Sequence, residues 1–299
     1  MIYDIRHVTT YSYEAPVAFS LCALRLRPTS RAGQKVIDVG VDIDPAAAKR
    51  IQRRDFFGND FEIVHIESEH RELRVEARAR IAVSRPVAPA ATAVWEDVRQ
   101  QAFSVKDLGP QSPAHFIYAS RVVTLDEPAV AYARKIFPSG RQVLDGASEL
   151  MERIWEDFDY DPKATLVSTP LGEAFAKKKG VCQDFAHIMI AGLRGVGVPA
   201  RYVSGYLRTA PPAGQKRLEG ADATHAWVAV WCGPIDGWVG LDPTNNMLVG
   251  DDHIVLAEGR DYADISPIDG VILSSGGQDV EVAVDVIPLP SEDAPPTFG

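Results

Sequence analysis

The chain has 299 residues, enough for one large domain or two smaller ones with a sizeable buried core. Its hydrophobic fraction of 46% and charged fraction of 24% are ordinary for a soluble globular protein, and its net charge of −10 argues against a nucleic-acid partner. The chain has no run of about 18 apolar residues, so no transmembrane helix is predicted. The N-terminus lacks the basic and apolar regions of a signal peptide, so we expect a cytoplasmic protein with no membrane partner.

The first 85 residues have the period-two alternation of β-strands. Segments such as 36–45 and 72–84 alternate branched residues with polar ones, and turn-forming pieces separate such segments. They predict the hairpins of an antiparallel sheet with one buried face, which makes residues 1–85 a β-rich N-terminal domain. A Pro/Ala-rich stretch follows, and we assign residues 86–125 to a connector.

From residue 126 the pattern changes to helices followed by strands. Helices are predicted near residue 126 and over 142–157, and a further helix begins at Cys182 and runs to about residue 194. Three strands follow this helix, and that order predicts an α+β core over residues 126–265. Late strands over 266–290 can add to a sheet, and the acidic, Pro-rich end, 291–299, is predicted to be disordered.

Cys182 is the strongest candidate for a nucleophile. A thiol at a helix N-terminus lies at the positive end of the helix dipole, beside free backbone N–H groups, and both favour the thiolate. Gly180 just before it predicts a tight turn. The alternative for Cys182 is a small buried hydrophobe. We interpret Cys22 and Cys232 as core or edge cysteines. Three scattered cysteines are too few for a disulfide framework.

His225 and Asp242 complete a candidate triad with Cys182. His225 lies at the start of the second predicted strand, where it can point toward a helix N-terminus and accept the thiol proton. Asp242 ends the third strand, and a carboxylate there can hold the second imidazole nitrogen. The alternatives are a structural histidine and a turn-initiating aspartate. Asp222 and Asp236, both in predicted loops, are rival acids.

Acyl transfer also needs donors for a tetrahedral oxyanion. The backbone N–H of Cys182 is one candidate and the Tyr160 hydroxyl is another, although Tyr160 could equally be a core aromatic. Cys182, His225 and Asp242 are also residue types that bind zinc, but no further ligand cluster accompanies them in the sequence. We therefore expect neither a metal nor a cofactor.

The residues around the candidate triad resemble a known family. The segments GVCQDFAHIMIAGLRGVGVPARYVSGYL, HAWVAVW and GWVGLDPTNN occur in this order, and over about residues 145–250 the chain closely resembles the core of the bacterial transglutaminase-like superfamily. The N-terminal segments MIYDIRHVTTYSYEAPV and LRLRP resemble the β-rich region that often precedes such cores. The resemblance implies a papain-like transglutaminase core, in which a helix bearing the cysteine packs on an antiparallel sheet bearing the histidine and the aspartate.

By this resemblance Cys182 matches the family nucleophile, His225 the base and Asp242 the orienting acid. Tyr160 matches an upstream aromatic residue that serves the oxyanion in relatives. The acidic calcium-binding loop of the animal crosslinking enzymes has no obvious counterpart in the sequence.

A cysteine hydrolase that cleaves amide or peptide bonds through a thioester is the function we expect, with a protein or peptide as substrate. The superfamily includes peptidases, amidases, deglycosylating enzymes and protein crosslinkers, so transfer to an amine is an alternative. We favour hydrolysis because a free crosslinker in the cytoplasm would threaten its own cell. A peptide-binding or assembly module without catalysis is the remaining alternative. Nothing in the sequence sets the oligomeric state.

Overall fold

The N-terminal residues form six antiparallel strands in the computed structural model of the chain, which describes residues 1–209 and 222–290. Period-two alternation places every second side chain in the core, so that Tyr3 and Ile5 are buried while Asp4 and Arg6 are more exposed. The prediction of a β-rich N-terminal region is confirmed. The strands are β1 (Ile2–Val17), β2 (Phe19–Arg27), β3 (Gln34–Asp44), β4 (Lys49–Arg54), β5 (Asp60–Ile66) and β6 (His70–Val83).

A mainly helical segment follows. Asp126 accepts a hydrogen bond from the backbone N–H of Ala129 at 3.4 Å and Pro128 lies in the first turn, so the predicted helix start at this position is confirmed. The first helix and a 3₁₀ turn, Pro113–Phe116, lie within the predicted connector. The helices are α1 (Trp95–Ser104), α2 (Glu127–Arg134), α3 (Val143–Asp157), α4 (Leu171–Lys177) and α5 (Cys182–Val196).

The second half of the chain is built around α5 and a five-stranded antiparallel sheet. α5 is apolar on several faces and is buried in one core with the sheet, and Gly197, at φ 91°, ends it. A separate pair of short parallel strands precedes α5. The strands are β7 (Asp159–Tyr160), β8 (Lys179–Gly180), β9 (Ala200–Leu207), β10 (Ala223–Trp231), β11 (Trp238–Asp242), β12 (Met247–Leu248) and β13 (His253–Gly259).

The order of the five strands is β12-β11-β10-β9-β13, which makes β13 an edge strand. The helix that begins at Cys182 packs on this sheet, and the sheet carries His225 in β10 and Asp242 at the end of β11. The predicted α+β class, with a cysteine-bearing helix on an antiparallel sheet, is therefore confirmed.

The last described strands return to the N-terminal sheets. A short helix, α6 (Tyr262–Ile265), leads into β14 (Ile268–Leu273) and β15 (Gln278–Pro288). β15 pairs with β1, and β14 pairs with β2, giving two four-stranded sheets with the orders β15-β1-β6-β3 and β14-β2-β5-β4. Residues of both sheets share one hydrophobic core. We call these eight strands, together with the loops that join β1 to β6 and residues 84 and 85 directly after β6, the β unit.

Two sequence predictions stand apart from this description. The division into units at residues 85, 125 and 265 stays a prediction. The predicted disordered end, 291–299, lies outside the described residues. Among the helices of the described ranges, none combines the length and the apolar character needed to cross a bilayer.

Candidate active site

Cys182 is the first residue of α5, and the side chain of Asp184 anchors this helix start. The Asp184 carboxylate accepts the backbone N–H of Val181 at 2.9 Å and the hydroxyl of Thr165 at 2.7 Å. It thereby satisfies a donor that the helix leaves free, and it places negative charge in the first turn. The Cys182 side chain is partly exposed, so the thiol at this helix N-terminus is accessible.

Gly180 is required for a different reason from the one the sequence indicates. The predicted tight turn is wrong, because Gly180 lies in β8 and pairs with Tyr160 of the parallel strand β7. A Cβ atom at this position would come 2.5 Å from Oδ2 of Asp184. The glycine therefore leaves space for the carboxylate that anchors the start of α5.

His225 and Asp242 form a buried, hydrogen-bonded pair. Nε2 of His225 donates to Oδ2 of Asp242 at 2.8 Å, and the aspartate is fully buried. Burial lowers the pKa of His225, but the hydrogen bonds with Asp242 and with the Cys182 thiol raise it by more, to about 10. Burial likewise raises the pKa of Asp242, and its donors, His225 first, hold that pKa well below the ordinary value. The structure therefore brings the three candidate triad side chains together in the spatial order thiol, imidazole, carboxylate.

The two oxygens of Asp242 have different partners. Oδ1 accepts the backbone N–H groups of Thr244 at 3.0 Å and Asn245 at 3.3 Å, which is the pattern of a turn-initiating aspartate. Oδ2 faces His225. Oδ1 therefore fits the alternative of a turn-initiating aspartate, and Oδ2 contacts the imidazole, while the role of orienting acid stays a prediction.

A second histidine binds the same carboxylate, and the sequence analysis missed it. Nε2 of His253 donates to Oδ2 of Asp242 at 3.1 Å, and the side-chain amide of Asn245 donates to that oxygen at 2.7 Å. His253 is buried and its ring lies edge-on to Trp227, with 5.3 Å between the centroids. The available signal was a histidine at the start of the apolar segment HIVLAEG, eleven residues after Asp242.

Tyr160 lies near Cys182 but is not a core residue. Its side chain is 58% exposed, and its ring centroid is 6.4 Å from that of Phe185 on α5. Partial burial raises the pKa of the Tyr160 hydroxyl, and the negative charge of the Cys182 thiolate raises it further. The alternative of a buried core aromatic is wrong, and the oxyanion role stays a prediction.

The rival acids and the other cysteines lie elsewhere. Asp222 holds the strand β15, because its carboxylate accepts the backbone N–H of Val286 at 2.6 Å. Asp236 lies in the turn between β10 and β11. Cys22 and Cys232 are buried as predicted, and burial raises the pKa of both thiols, that of Cys232 to about 12. Neither thiol has the accessibility of Cys182.

One group of possible metal ligands occurs within the described ranges. The ligand atoms of His225, Asp242 and His253 lie within 4.8 Å of one another, and all three residues are buried. The zinc set that the sequence raised combined Cys182 with the first two. The hydrogen bonds to Oδ2 of Asp242 account for the close approach of all three side chains.

Comparisons with known proteins cover most of the chain. Residues 3–82 match the family described as the bacterial transglutaminase-like N-terminal region, and residues 130–243 match the transglutaminase-like superfamily. An uncharacterized protein of Mycobacterium tuberculosis is 36% identical over 301 residues, spanning 96% of this chain and 93% of that protein. An uncharacterized protein of Mycobacterium leprae is 30% identical over 285 residues, spanning 95% and 97%.

Two further proteins have described activities or solved structures. A protein-glutamine gamma-glutamyltransferase of Pseudomonas aeruginosa is 32% identical over 120 residues, which span 38% of this chain and 18% of that protein. The crystal structure of a candidate cysteine protease from Cytophaga hutchinsonii matches with a TM-score of 0.73 and 20% identity, over 100% of this chain and 94% of that one. This second likeness concerns the fold. With both halves matched and near-full-length relatives found, the chain belongs to the bacterial transglutaminase-like superfamily.

Proposed function

We propose that the protein is a cysteine hydrolase of amide or peptide bonds, with Cys182 as nucleophile, His225 as base and Asp242 as orienting acid. The observation that carries this proposal is the run of contacts from an accessible thiol at a helix N-terminus, through a buried imidazole, to a buried carboxylate. This arrangement holds an imidazolium beside the Cys182 side chain, and nucleophilic catalysis by cysteine requires such a partner.

The reaction follows from the position of each group. The Cys182 thiolate attacks the carbonyl carbon of the amide, and the developing oxyanion receives hydrogen bonds from the Cys182 backbone N–H and the Tyr160 hydroxyl. The His225 imidazolium gives its proton to the leaving amine as the C–N bond breaks, which leaves a thioester. His225 then takes a proton from water, the resulting hydroxide attacks the thioester, and the carboxylic acid leaves as the thiolate re-forms. Asp242 holds the ring and stabilises its charged form throughout.

Transfer to an amine is the second candidate, because it uses the same thioester. The name of the Pseudomonas aeruginosa relative favours it, since gamma-glutamyl transfer replaces water by a primary amine in the second step. We favour hydrolysis on the reasoning that a free crosslinker would modify the proteins around it. A protein or peptide substrate and a cytoplasmic location stay predictions, and cell fractionation tests the second.

Mass spectrometry after incubation with a mixed peptide library and a primary amine distinguishes the two reactions. Wild-type protein is expected to give cleaved peptides that are absent with Cys182→Ala, and Cys22→Ala serves as the control that removes a thiol far from the site. Peptides that gain the mass of the amine and lose ammonia would identify a transferase instead. Equal products from wild-type protein and Cys182→Ala would overturn the assignment of the nucleophile.

Alkylation by iodoacetamide tests the thiol without knowledge of the substrate. Cys182 should be labelled far faster than Cys22 and Cys232, but burial of the other two thiols predicts this selectivity even for an inactive protein. The discriminating variant is therefore His225→Gln, which leaves Cys182 exposed and removes the imidazolium. We expect its alkylation rate at pH 7 to be lower by about tenfold or more, because the thiolate loses its charge partner.

The result is read from the rate at Cys182 alone, measured by mass spectrometry of the peptide that contains it. Wild-type protein and His225→Gln with the same rate would contradict an activated thiolate and would favour the peptide-binding module.

A further inference from the structure

We infer that the β unit is a positioning element for the candidate active site: it holds the edge strand β13, and His253 at the start of that strand fixes the orientation of Asp242. The inference rests on the proposed function, because it assigns a role relative to the proposed triad. It gives the β-rich N-terminal region a part in the chemistry of the core.

The edge of β13 that faces the β unit is held by side-chain amides. Gln34 of β3 donates from Nε2 to the carbonyl of Val255 at 2.8 Å and accepts the Val255 N–H on Oε1 at 2.8 Å. Asn59 binds Glu258 in the same way: its Nδ2 donates to the Glu258 carbonyl at 2.7 Å and its Oδ1 accepts the Glu258 N–H at 2.9 Å. Gln34 is 3% exposed and Asn59 is 1% exposed. The backbone groups that an edge strand leaves unpaired are therefore satisfied by two buried amides from the β unit.

The start of β13 is held from the same side. The Arg85 guanidinium donates to the carbonyl of His253 at 3.1 Å, and the Arg85 backbone N–H donates to the carboxylate of Asp251 at 2.8 Å. The Tyr3 hydroxyl donates to Oδ1 of Asp252 at 2.8 Å. All three residues from 251 to 253 are thus tied to the β unit where the chain enters β13.

The ring of His253 has a defined orientation and tautomer. Its Nδ1 accepts the backbone N–H of Gly250 at 3.3 Å, so the proton lies on Nε2, which donates to Asp242 at 3.1 Å. Both ring nitrogens are thus hydrogen-bonded, and Trp227 packs edge-on against the ring. His253 is therefore a positioning residue: it directs Oδ2 of Asp242 toward His225 without reaching the thiol.

The test uses the alkylation rate of Cys182 as a function of pH, since this readout requires no substrate. We expect His253→Phe, which keeps an aromatic ring beside Trp227 but removes the donor, to lower the rate at pH 7 by about tenfold or more. The rate should recover as the pH is raised toward 9, where a thiol ionises without help from an imidazolium. In His253→Gln, the amide nitrogen takes the place of Nε2, and we expect most of the wild-type rate and profile to return.

The role of the β unit is tested by Gln34→Met, which preserves the length of the side chain and removes both hydrogen bonds to Val255. We expect a loss in the same direction and with the same change of pH profile, although residue 34 lies on another sheet. Ser20→Ala is the matched control, because it removes a buried hydrogen bond to His70 within the β unit that is not connected to β13. Thermal unfolding of each variant verifies that it is folded.

The outcomes separate this inference from the proposed function. If His253→Phe alkylates as the wild type does, His253 is not a positioning residue. If His253→Phe is slow while Gln34→Met equals Ser20→Ala, the role of the β unit is overturned. If wild-type protein reacts no faster than His225→Gln, the proposed function fails instead, whatever the other variants do.

Discussion

Replacing Asp242 by asparagine should lower the rate of Cys182-dependent product formation by about 1,000- to 10,000-fold. An asparagine amide has nearly the same shape, but it carries no charge to stabilise an imidazolium and can present a donor to a ring nitrogen that is itself a donor. Asp236→Asn is the matched control, since it makes the same chemical change at a rival acid in the turn before β11. A loss of less than about tenfold in Asp242→Asn would contradict the role of orienting acid.

The same variant should change the pH dependence of stability. The pKa of His225 is raised from 6.5 to about 10, so its contribution is fully present below pH 6.5 and is lost as the pH rises through about 10. The pKa of Asp242 is lowered from 3.8, so its contribution is present above pH 3.8 and is lost as the pH falls. Both shifts describe one ion pair. In urea unfolding, the free energies of unfolding of wild type and Asp242→Asn should therefore differ most at about pH 4 to 6.5. This difference should become smaller at lower and at higher pH.

Replacing Glu258 by glutamine should lower the free energy of unfolding by about 3–5 kcal/mol. Glu258 is buried in β13 and binds two guanidinium groups, Arg31 of the β unit at 3.0 Å and Arg201 of β9 at 3.1 Å. Burial raises the pKa of Glu258, but Arg201 and then Arg31 lower it by more, so the carboxyl is charged when folded. A neutral amide would leave the buried Arg201 and the partly buried Arg31 without their counter-ion.

Urea unfolding at pH 7 measures this loss, with Glu281→Gln as the control. Glu281 is exposed on β15, and a surface substitution of this kind changes stability by about 0.5 kcal/mol or less. Because the pKa of Glu258 is lowered from its ordinary value of 4.5, its contribution to stability should be present above pH 4.5 and should decline as the pH falls below that value. If Glu258→Gln destabilises no more than Glu281→Gln, the two arginines are balanced by other groups.

The elements nearest the candidate site were the easiest to predict. The start of α5 follows from a strong apolar pattern, and the adjoining strands follow from alternation and turn residues. The contacts of Cys182, His225 and Asp242 were predicted because each lies at the end of such an element. Their roles come from the resemblance and stay proposals.

The parts that sequence reasoning missed have weak or distant signals. α1 buries only Val98 and Ala102 fully, so its ten residues have little apolar periodicity and read as connector. In the sequence, His253 is a single polar residue at the start of an apolar strand. Its partner, the Asp242 carboxylate, lies on another strand of the sheet, so no local pattern reveals the contact. The pairing of β15 with β1 joins two segments that lie far apart in the sequence, and no local pattern encodes such a contact.

That pairing also orders the events of biosynthesis. Tyr3 lies opposite Pro288 and Tyr13 opposite Gln278, so β1 has no partner on this side until residues 278–288 have been made. At 5–20 residues per second, the delay is roughly 15–60 s. During this time the five-stranded sheet that packs against α5 can already form. The long, partly apolar edge of β1 meanwhile remains open to other chains. A nascent chain of this protein therefore depends on β15 to protect this edge against aggregation.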